Sequence, residues 1–260
     1  MHPIPGACER LLRICHCRAN QLNKRLQRAM VLLFALVMGA CSSAPSSNPL
    51  PDPPAQGVGV VSLLGARLEI LHVGPSETPD RFSIEVPDWH IDRRLATGLT
   101  THLRGRGYAA RPILPIEPAE DFQVASDVFE GAGEVNLEKV VALGKKARVA
   151  TLVVIHRLPR HAGDPHQRFF EGAYGLYYRS LFGIRRSAVY TLVGLQVIDI
   201  AGARVLNFQR VNAWNSWDDQ LPAWTPTFAD LPPEAQLSVR RQLETQLLER
   251  VQAAALVLKL

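Results

Sequence analysis

Apolar side chains form short, strand-like runs from residue 57 onward. Residues 57–64 and 67–73 are two apolar, β-rich runs, and the Gly65-Ala66 pair between them predicts a β-hairpin. Residues 81–86 have an apolar side chain at every second position, which predicts a third strand. The residues expected to supply core contacts in the first two strands are Val60, Leu68, Ile70 and Val73.

Helical periods follow these strands. Asp88 comes directly after a proline and predicts the N-cap of a helix, which Gly105 and Gly107 should end because glycine adopts the left-handed stop conformation at little cost. Residues 134–148 predict a second amphipathic helix. A third, long helix should begin at Asp230. Apolar stripes mark the three helices: Ile91, Leu95, Leu99 and Leu103; Leu137, Val140, Val141 and Gly144; Leu237, Leu243, Leu247, Val251 and Leu258.

The continuous apolar run 150–158 follows the second helix directly. A helix followed by a fully apolar strand is typical of a parallel central strand that is covered on both faces, so Val153, Val154 and Ile155 should be deeply buried. Residues 187–214 predict a hairpin that turns at Ala201-Gly202. Together these patterns predict an α/β fold: a mixed sheet with amphipathic helices packed on it, β-hairpins near both ends and a long C-terminal helix.

The segment before residue 57 has a different character. Basic residues precede an apolar run over 29–37, which is shorter than the ~20 residues of a spanning helix. Gly39 and Ala40 follow, and then Cys41. A basic region, a short apolar region and small residues indicate a secretory signal. Ending on a cysteine, the stretch resembles the lipobox of bacterial lipoproteins, which implies lipidation of Cys41.

These features predict four regions. Residues 1–21 have no clear period and are interpreted as a mis-annotated leader, with translation starting near Leu22. Residues 22–40 are the predicted lipoprotein signal peptide, and 41–56 form a Pro/Ser-rich tether that cannot bury a core. Residues 57–260 are expected to form a single periplasmic α/β domain.

The charge balance changes once the signal is removed. The whole chain has 29 Lys and Arg and 24 Asp and Glu, but 23 of each remain after residue 40. A mature chain of zero net charge gives no electrostatic case for nucleic acid. Cys41 is its only cysteine, so no intramolecular disulfide is possible and the fold must rely on its core.

Candidate catalytic chemistry is sparse. His161, Asp164 and His166 are residue types that bind first-row metals, but they lie in a Gly/Pro loop whose simpler interpretation is a polar surface. Asp218 and Asp219 could be paired carboxylates or a solvated loop. His90 and Asp92 are interpreted as surface residues of the first helical turn. No nucleophile elbow, phosphate loop or dinucleotide fingerprint occurs, so an enzyme is the less favoured reading, and neither a cofactor nor a metal is expected.

The segment 169–184 is dense in aromatic residues and is flanked by arginines. Clustered aromatics most often fill a core, but they can also form a recognition surface, where Tyr and Arg are favoured anchors, or face a membrane. The recognition reading predicts that four residues are partly exposed on a loop between strands and bind a partner: Tyr174, Tyr177, Tyr178 and Arg179.

A family resemblance rests on residues 57–74 and 86–108. GVGVVSLLGARLEILHVG and VPDWHIDRRLATGLTTHLRGRGY are similar to the start of uncharacterised proteobacterial envelope lipoproteins. The order of elements is also loosely similar to the small α/β domains of penicillin-binding-protein activator lipoproteins and of the curli secretion lipoprotein, which are interaction or assembly modules.

These resemblances imply a lipid-anchored protein of the outer membrane that faces the periplasm and acts as an interaction or assembly module. Ser42 and Ser43 after the cysteine imply sorting to that membrane. The expected partners are the membrane, through the lipid, and another envelope protein. The first alternative is an envelope hydrolase or metal-dependent enzyme that uses the 161–166 loop or Asp218 and Asp219. A further alternative is an assembling, membrane-perturbing lipoprotein.

Overall fold

The computed structural model describes residues 57–74, 80–123, 135–158, 173–181, 184–216 and 228–260. Within these ranges, eight strands form one mixed sheet: β1 (Val58–Leu63), β2 (Arg67–Val73), β3 (Asp80–Glu85), β4 (Ala110–Pro112), β5 (Thr151–Arg157), β6 (Tyr174–Leu181), β7 (Ile184–Asp199) and β8 (Arg204–Ser216). The described residues also include the α-helices α1 (Ile91–Gly105), α2 (Leu137–Lys146) and α3 (Pro233–Val257). Short 3-10 turns lie at Pro87–Trp89, Ala119–Phe122 and Phe228–Asp230.

The long strand β7 organises the sheet. One edge of β7 pairs with β8, and the opposite edge pairs first with β6 and then with β5, both antiparallel to it. Strands β5 and β6 therefore lie end to end in one row of the sheet. In the next row β1 pairs parallel with β5, and β2 pairs parallel with β6. Beyond this row lie β4, beside β1, and β3, beside β2, while β8 is outermost on the other side of β7.

The structure confirms the α/β class, the mixed sheet and the long C-terminal helix, and it relocates one hairpin. The predicted hairpin between β1 and β2 is wrong, because the two strands continue in one row and pair with different neighbours. The first hairpin instead joins β2 to β3, with Leu68 opposite Ile84. The predicted hairpin of β7 and β8 is confirmed.

Alternation along the strands divides the core between two faces of the sheet. The front face carries Val153 and Ile155 and packs under α1 and α3. The back face carries Leu152 and Val154 and packs with α2. Val153, Val154 and Ile155 each have 0% exposure, which confirms the prediction of a central strand covered on both sides.

The helix boundaries correct two details of the sequence analysis. Asp88 lies in the Pro87–Trp89 turn and is not the N-cap, because α1 begins one turn later, after His90, whose φ is +52°. In α3 the stripe faces the sheet through Val239 instead of Leu237, which is 45% exposed. Gly107 has a φ of +90° just after α1, as a glycine stop signal predicts.

Candidate functional site

Two rows of the sheet are interrupted at the same level, and polar side chains meet there. We call Leu64–Ala66, between β1 and β2, the strand junction. Asp92, in the first turn of α1, accepts a hydrogen bond of 2.5 Å from Ser62 Oγ. Its two carboxylate oxygens also accept the backbone N–H groups of Leu64, at 2.8 Å, and Gly65, at 2.9 Å. The carboxylate thus accepts three hydrogen bonds from the β1–β2 row and links that row to α1.

The opposite side of the strand junction is held by residues of the neighbouring row. Arg157, the last residue of β5, donates from Nε to the carbonyl of Leu64 at 2.5 Å. Tyr174, the first residue of β6, donates from its hydroxyl to the carbonyl of Gly65 at 3.1 Å. Gly65 has a φ of +73°, a conformation that side-chain-bearing residues rarely adopt. Both N–H groups and both carbonyls of Leu64 and Gly65 therefore have assigned partners.

Burial dominates the electrostatics of this cluster. It raises the pKa of Asp92 above its usual range, although the hydrogen bonds from Ser62, Leu64 and Gly65 and the charge of Arg157 act in the opposite direction. Burial, and next the charge of Asp92, raises the pKa of the Tyr174 hydroxyl. Ser62 is 2% exposed and donates to a carboxylate, so this cluster fixes backbone geometry and presents no nucleophile to solvent.

A second feature lies on the back face, where β6, β7 and β8 run side by side. Tyr177 in β6 and Trp214 in β8 contact each other across the small Ala188 of β7, with ring centroids 4.6 Å apart and planes inclined at 59°. One register step away Tyr190 lies against Gly175, where a Cβ would come within 2.6 Å of the Tyr190 hydroxyl. We call Tyr177, Tyr190 and Trp214 the aromatic surface.

The aromatic surface is part buried and part exposed. Tyr190 is 3% exposed and packs with Leu71, Leu158 and Leu192, whereas Trp214 is 43% exposed. Arg179 lies two residues beyond Tyr177 on the same face and is exposed. A rigid sheet therefore presents an aromatic pair and a cation together.

A buried histidine lies further along the back face. His156 is 1% exposed, and its Nδ1 lies 2.8 Å from the carbonyl of Arg157, so Nδ1 carries the proton because a carbonyl can only accept. Its ring lies over Gly194 and faces Phe208. Burial lowers the pKa of His156 to about 4. Its Nε2 atom and the side-chain oxygen of Gln196 have no hydrogen-bond partner among the described residues.

The four residues predicted to bind a partner lie on two different faces of the sheet. Tyr174 and Tyr178 are 0% and 6% exposed and belong to the front core, so the expectation that they are exposed on a loop is wrong. All four lie in strand β6, and alternation along this strand places Tyr177 and Arg179 on the back face. Burial raises the pKa of Tyr178 to about 12.

Several predicted residues lie outside the described ranges. These are the lipidation candidate Cys41, the metal candidates His161, Asp164 and His166, and the paired carboxylates Asp218 and Asp219. Within the described ranges, no three His, Cys, Asp or Glu side chains gather as a metal site. Of the helices in the described part of the chain, none is both long and apolar enough to cross a bilayer.

Two residues that are prominent in the structure are not identified by the sequence patterns. Asp92 was expected at the surface, but it accepts three hydrogen bonds from the β1–β2 row, which is 27 to 30 residues away in sequence. Trp214 was placed only as the last residue of a hairpin strand. For Trp214 the sequence does hold a signal. Its strand alternates clearly between residues of the two sheet faces, and Trp214 is in register with Tyr190.

Comparisons with known proteins do not assign this chain to a family. No protein-family model and no curated protein matches the sequence. Among solved structures, the PelC dodecamer from Paraburkholderia phytofirmans is similar at a TM-score of 0.31 and 13% identity, over 79% of this chain and 94% of that one.

Two further structures are similar at the same level. A Xanthomonas campestris protein of family DUF330 has a TM-score of 0.30 and 10% identity, over 81% of this chain and 91% of that one. A structure described as a neuraminyllactose-binding hemagglutinin homolog, from Helicobacter pylori, has a TM-score of 0.33 and 7% identity, over 80% of this chain and 90% of that one. Likeness at these scores identifies neither family nor function.

Proposed function

We propose that this protein is a lipid-anchored envelope protein that binds another envelope component through the aromatic surface and Arg179. The observation that carries the proposal is the Tyr177–Trp214 pair, 4.6 Å apart on the back face, with Trp214 43% exposed. Tryptophan, tyrosine and arginine are the residue types most enriched among interface residues that dominate binding energy. An exposed tryptophan held on a three-strand platform is pre-organised for such a role.

The geometry of the sheet supports a binding role for the aromatic surface. The described helices cover the front face through α1 and α3, and α2 covers the back face at β1 and β5. Beside β6 and β8 the back face instead carries a separate small apolar cluster that includes Leu71, Tyr190 and Leu192. An apolar centre with an exposed aromatic and a cation at its rim is the usual anatomy of a recognition surface.

The anchor is the second part of the proposal. The signal-like segment before Cys41 and the Pro/Ser-rich tether at 41–56 support a lipid on Cys41, with the folded part held at a distance from the membrane. Ser42 and Ser43 support sorting to the outer membrane. The binding surface would then face the periplasm.

Removal of the exposed aromatic pair tests the binding proposal. Cells that carry wild type or the double variant Tyr177→Ala with Trp214→Ala are cross-linked, and the proteins that co-purify are identified. Loss of a central interface anchor costs ~2 kcal/mol or more, about thirtyfold in affinity, so the captured partner should disappear. Phe82→Ala is the matched control, because Phe82 is 41% exposed but lies on the outer strand β3.

Thermal unfolding separates a lost interface from a lost fold. We expect the double variant to keep a melting temperature within a few degrees of that of Phe82→Ala. Capture of the same partner by the double variant would reject the proposal, and so would loss of capture only in proportion to the unfolded fraction.

A further inference from the structure

Gly57, the first described residue, lies at one end of the sheet. Val58 donates its backbone N–H to the carbonyl of Ala109 at 3.0 Å, and Ala150 donates to the carbonyl of Gly57 at 3.3 Å. Ile200 in turn donates to the carbonyl of Ala150 at 3.0 Å. The residues just before β1, β4 and β5 and just after β7 therefore lie side by side where the described fold begins.

Basic side chains gather around this end of the sheet. Helices α1 and α2 end a few residues before β4 and β5 begin, and the hydroxyl of Tyr108 donates to the carbonyl of Lys259 at 3.2 Å, which brings the residues after α3 to the same end. We call six exposed cations at the ends of these elements the basic rim: Arg106, Lys145, Lys146, Arg148, Arg204 and Lys259. They come from four parts of the chain, so the fold brings them together and no local run of charge does.

Negative side chains are sparse at the same end. Residues 98–111, 139–151 and 250–260 contain no Asp or Glu. The carboxylate of Asp199 is already paired with Arg204, at 3.4 Å from Nε. The other five members of the basic rim have no ion pair within the described part of the chain. Lysines in the last turn of α2 complement the helix dipole, but Arg148, Arg204 and Lys259 lie outside the helices, so that role does not account for the whole rim.

Two exposed apolar residues lie beside the basic rim. Leu256 and Val257, in the last turn of α3, are 48% and 59% exposed. The backbone N–H of Lys259 donates to the carbonyl of Leu256 at 3.1 Å, so this apolar pair is next to a member of the rim. Exposed apolar side chains beside Lys and Arg are the combination that binds at the surface of an anionic membrane.

We propose that the basic rim, together with Leu256 and Val257, docks the folded part of the chain reversibly onto an anionic phospholipid surface. Phosphate headgroups supply the negative charge that this end lacks, and each Lys or Arg near such a surface strengthens binding about fivefold. The apolar pair is buried at the boundary between headgroups and acyl chains.

The position of Gly57 favours lipid over a soluble polyanion. Residues 41–56 lead from this end of the sheet to the lipidation candidate Cys41, so the tether joins the fold at the basic rim. The choice of lipid as the ligand rests on the proposed lipid anchor. The two proposals nevertheless fail separately, because fatty-acid labelling tests the anchor, whereas vesicle contact tests the rim on a chain that cannot be lipidated.

Docking at the basic rim also orients the aromatic surface. Arg204 and Trp214 both lie in β8, and a strand rises about 3.4 Å per residue, so they are about 30 Å apart along the strand. A docked molecule therefore holds Trp214 away from the lipid. Since docking is reversible, the folded part also separates from the membrane as far as the tether allows.

Lipid contact of a single labelled residue tests the docking. The full chain is used with its four native cysteines replaced by serine, at Cys8, Cys15, Cys17 and Cys41. Val257→Cys carries a fluorophore and is mixed with vesicles that contain a lipid-bound quencher, made of phosphatidylcholine with or without phosphatidylglycerol. Quenching should be stronger with phosphatidylglycerol, and stronger than at Ser83→Cys, an exposed residue of β3. Each label reports contact at its own position, so attachment of the chain through its N-terminal segment acts on both labels alike.

Matched charge variants identify the basic rim as the cause. Lys146→Gln with Arg148→Gln removes two cations of the rim and should lower the ratio of docked to free molecules about 25-fold. Arg93→Gln with Arg241→Gln removes two exposed cations elsewhere and should change that ratio less than about twofold, because salt screens charges beyond about 10 Å. All four residues are exposed, so the melting temperatures should stay within a few degrees of that of the unsubstituted chain.

Three results would overturn the proposal. The first is quenching at Val257→Cys that equals quenching at Ser83→Cys in the anionic vesicles. The second is a contact that depends neither on phosphatidylglycerol nor on which pair of cations is removed. The third is protection of the label by soluble polyglutamate without any vesicle contact, which would assign the rim to an acidic protein. The comparison of vesicles and of salt concentrations needs no substitution in the rim, so a variant that misfolds does not remove the test.

Discussion

Asp92 and Ser62 are joined by a 2.5 Å hydrogen bond that ties the first turn of α1 to the last part of β1. The same carboxylate accepts the N–H groups of Leu64 and Gly65, where the β1–β2 row is interrupted. An interruption of a strand leaves backbone groups without ladder partners, and buried groups of this kind must be satisfied elsewhere. Asp92, which lies in the helix layer, accepts the hydrogen bonds of these backbone groups.

Truncation of Asp92 should therefore be costly. Asp92→Ala leaves the Ser62 hydroxyl and two backbone N–H groups without an acceptor, and each unsatisfied buried donor costs about 1–3 kcal/mol. We expect a loss of about 3 kcal/mol or more in the free energy of unfolding, measured in urea. Asp88→Ala, in the exposed turn just before α1, should change stability by less than about 0.5 kcal/mol. Equal effects of the two substitutions would contradict the assigned role of Asp92.

The strand junction also shows where sequence reasoning reaches its limit. The apolar run of β5 predicted a central strand, because burial on both faces leaves a continuous signature in the sequence. The interruption after β1 left no such signature, since the residues that hold it, Asp92, Arg157 and Tyr174, come from distant parts of the chain. A Gly-Ala pair between two apolar runs fits a tight turn as well as a straight continuation.

The residues of the aromatic segment that lie in strand β6 could be assigned to the two faces of the sheet from the sequence alone. In a strand, Tyr174 and Tyr178 share one face, and Tyr177 and Arg179 share the other, as the structure shows. The interpretation of the segment as a loop makes no use of that alternation. The contact between Tyr177 and Trp214 could not be foreseen, because it depends on the register of three strands and on the small Ala188 between them.

The division of the tyrosines gives a direct stability prediction. Tyr174 is fully buried and bonds the strand junction, so Tyr174→Ala should lower the free energy of unfolding by about 3–5 kcal/mol. Tyr174→Phe keeps the ring and loses the bond to Gly65, for a cost of about 1 kcal/mol. Arg179→Ala, exposed on the other face of the same strand, should change stability by less than about 0.5 kcal/mol. Urea unfolding of the three variants should rank them in that order.

Two glycines should respond in opposite directions to alanine. A Cβ at Gly175 would lie 2.2 Å from the backbone carbonyl oxygen of Glu69, which the β2–β6 ladder holds in place, so Gly175→Ala should destabilise the fold by more than about 2 kcal/mol. A Cβ at Gly105 would meet no heavy atom within 4 Å, and this residue ends α1. Gly105→Ala should stabilise by about 0.5–1 kcal/mol. Thermal unfolding that shifts both variants in the same direction would contradict this prediction.

Cys41 carries the prediction about location. In cell fractions, wild type should sediment with the outer membrane and incorporate labelled fatty acid. Cys41→Ala should incorporate none and should accumulate as an unprocessed or released form. The control is Ser76→Ala, a conservative change far from the signal-like segment, which should fractionate as wild type. Normal anchoring of Cys41→Ala would reject the lipobox assignment.

His156 should make the fold sensitive to acid. Burial holds its pKa at about 4 in the folded chain, below the ordinary value of 6.5 that it regains on unfolding. A pKa that is lower in the folded state gives stability that is complete above pH 6.5 and is lost as the pH falls from 6.5 toward 4. The full difference corresponds to about 3 kcal/mol. His156→Phe lacks this titration, so the stability of wild type relative to this variant should fall over that interval, as measured by urea unfolding at several pH values. Parallel pH profiles for the two proteins would show that His156 is not held neutral by burial beside Gly194 and Phe208.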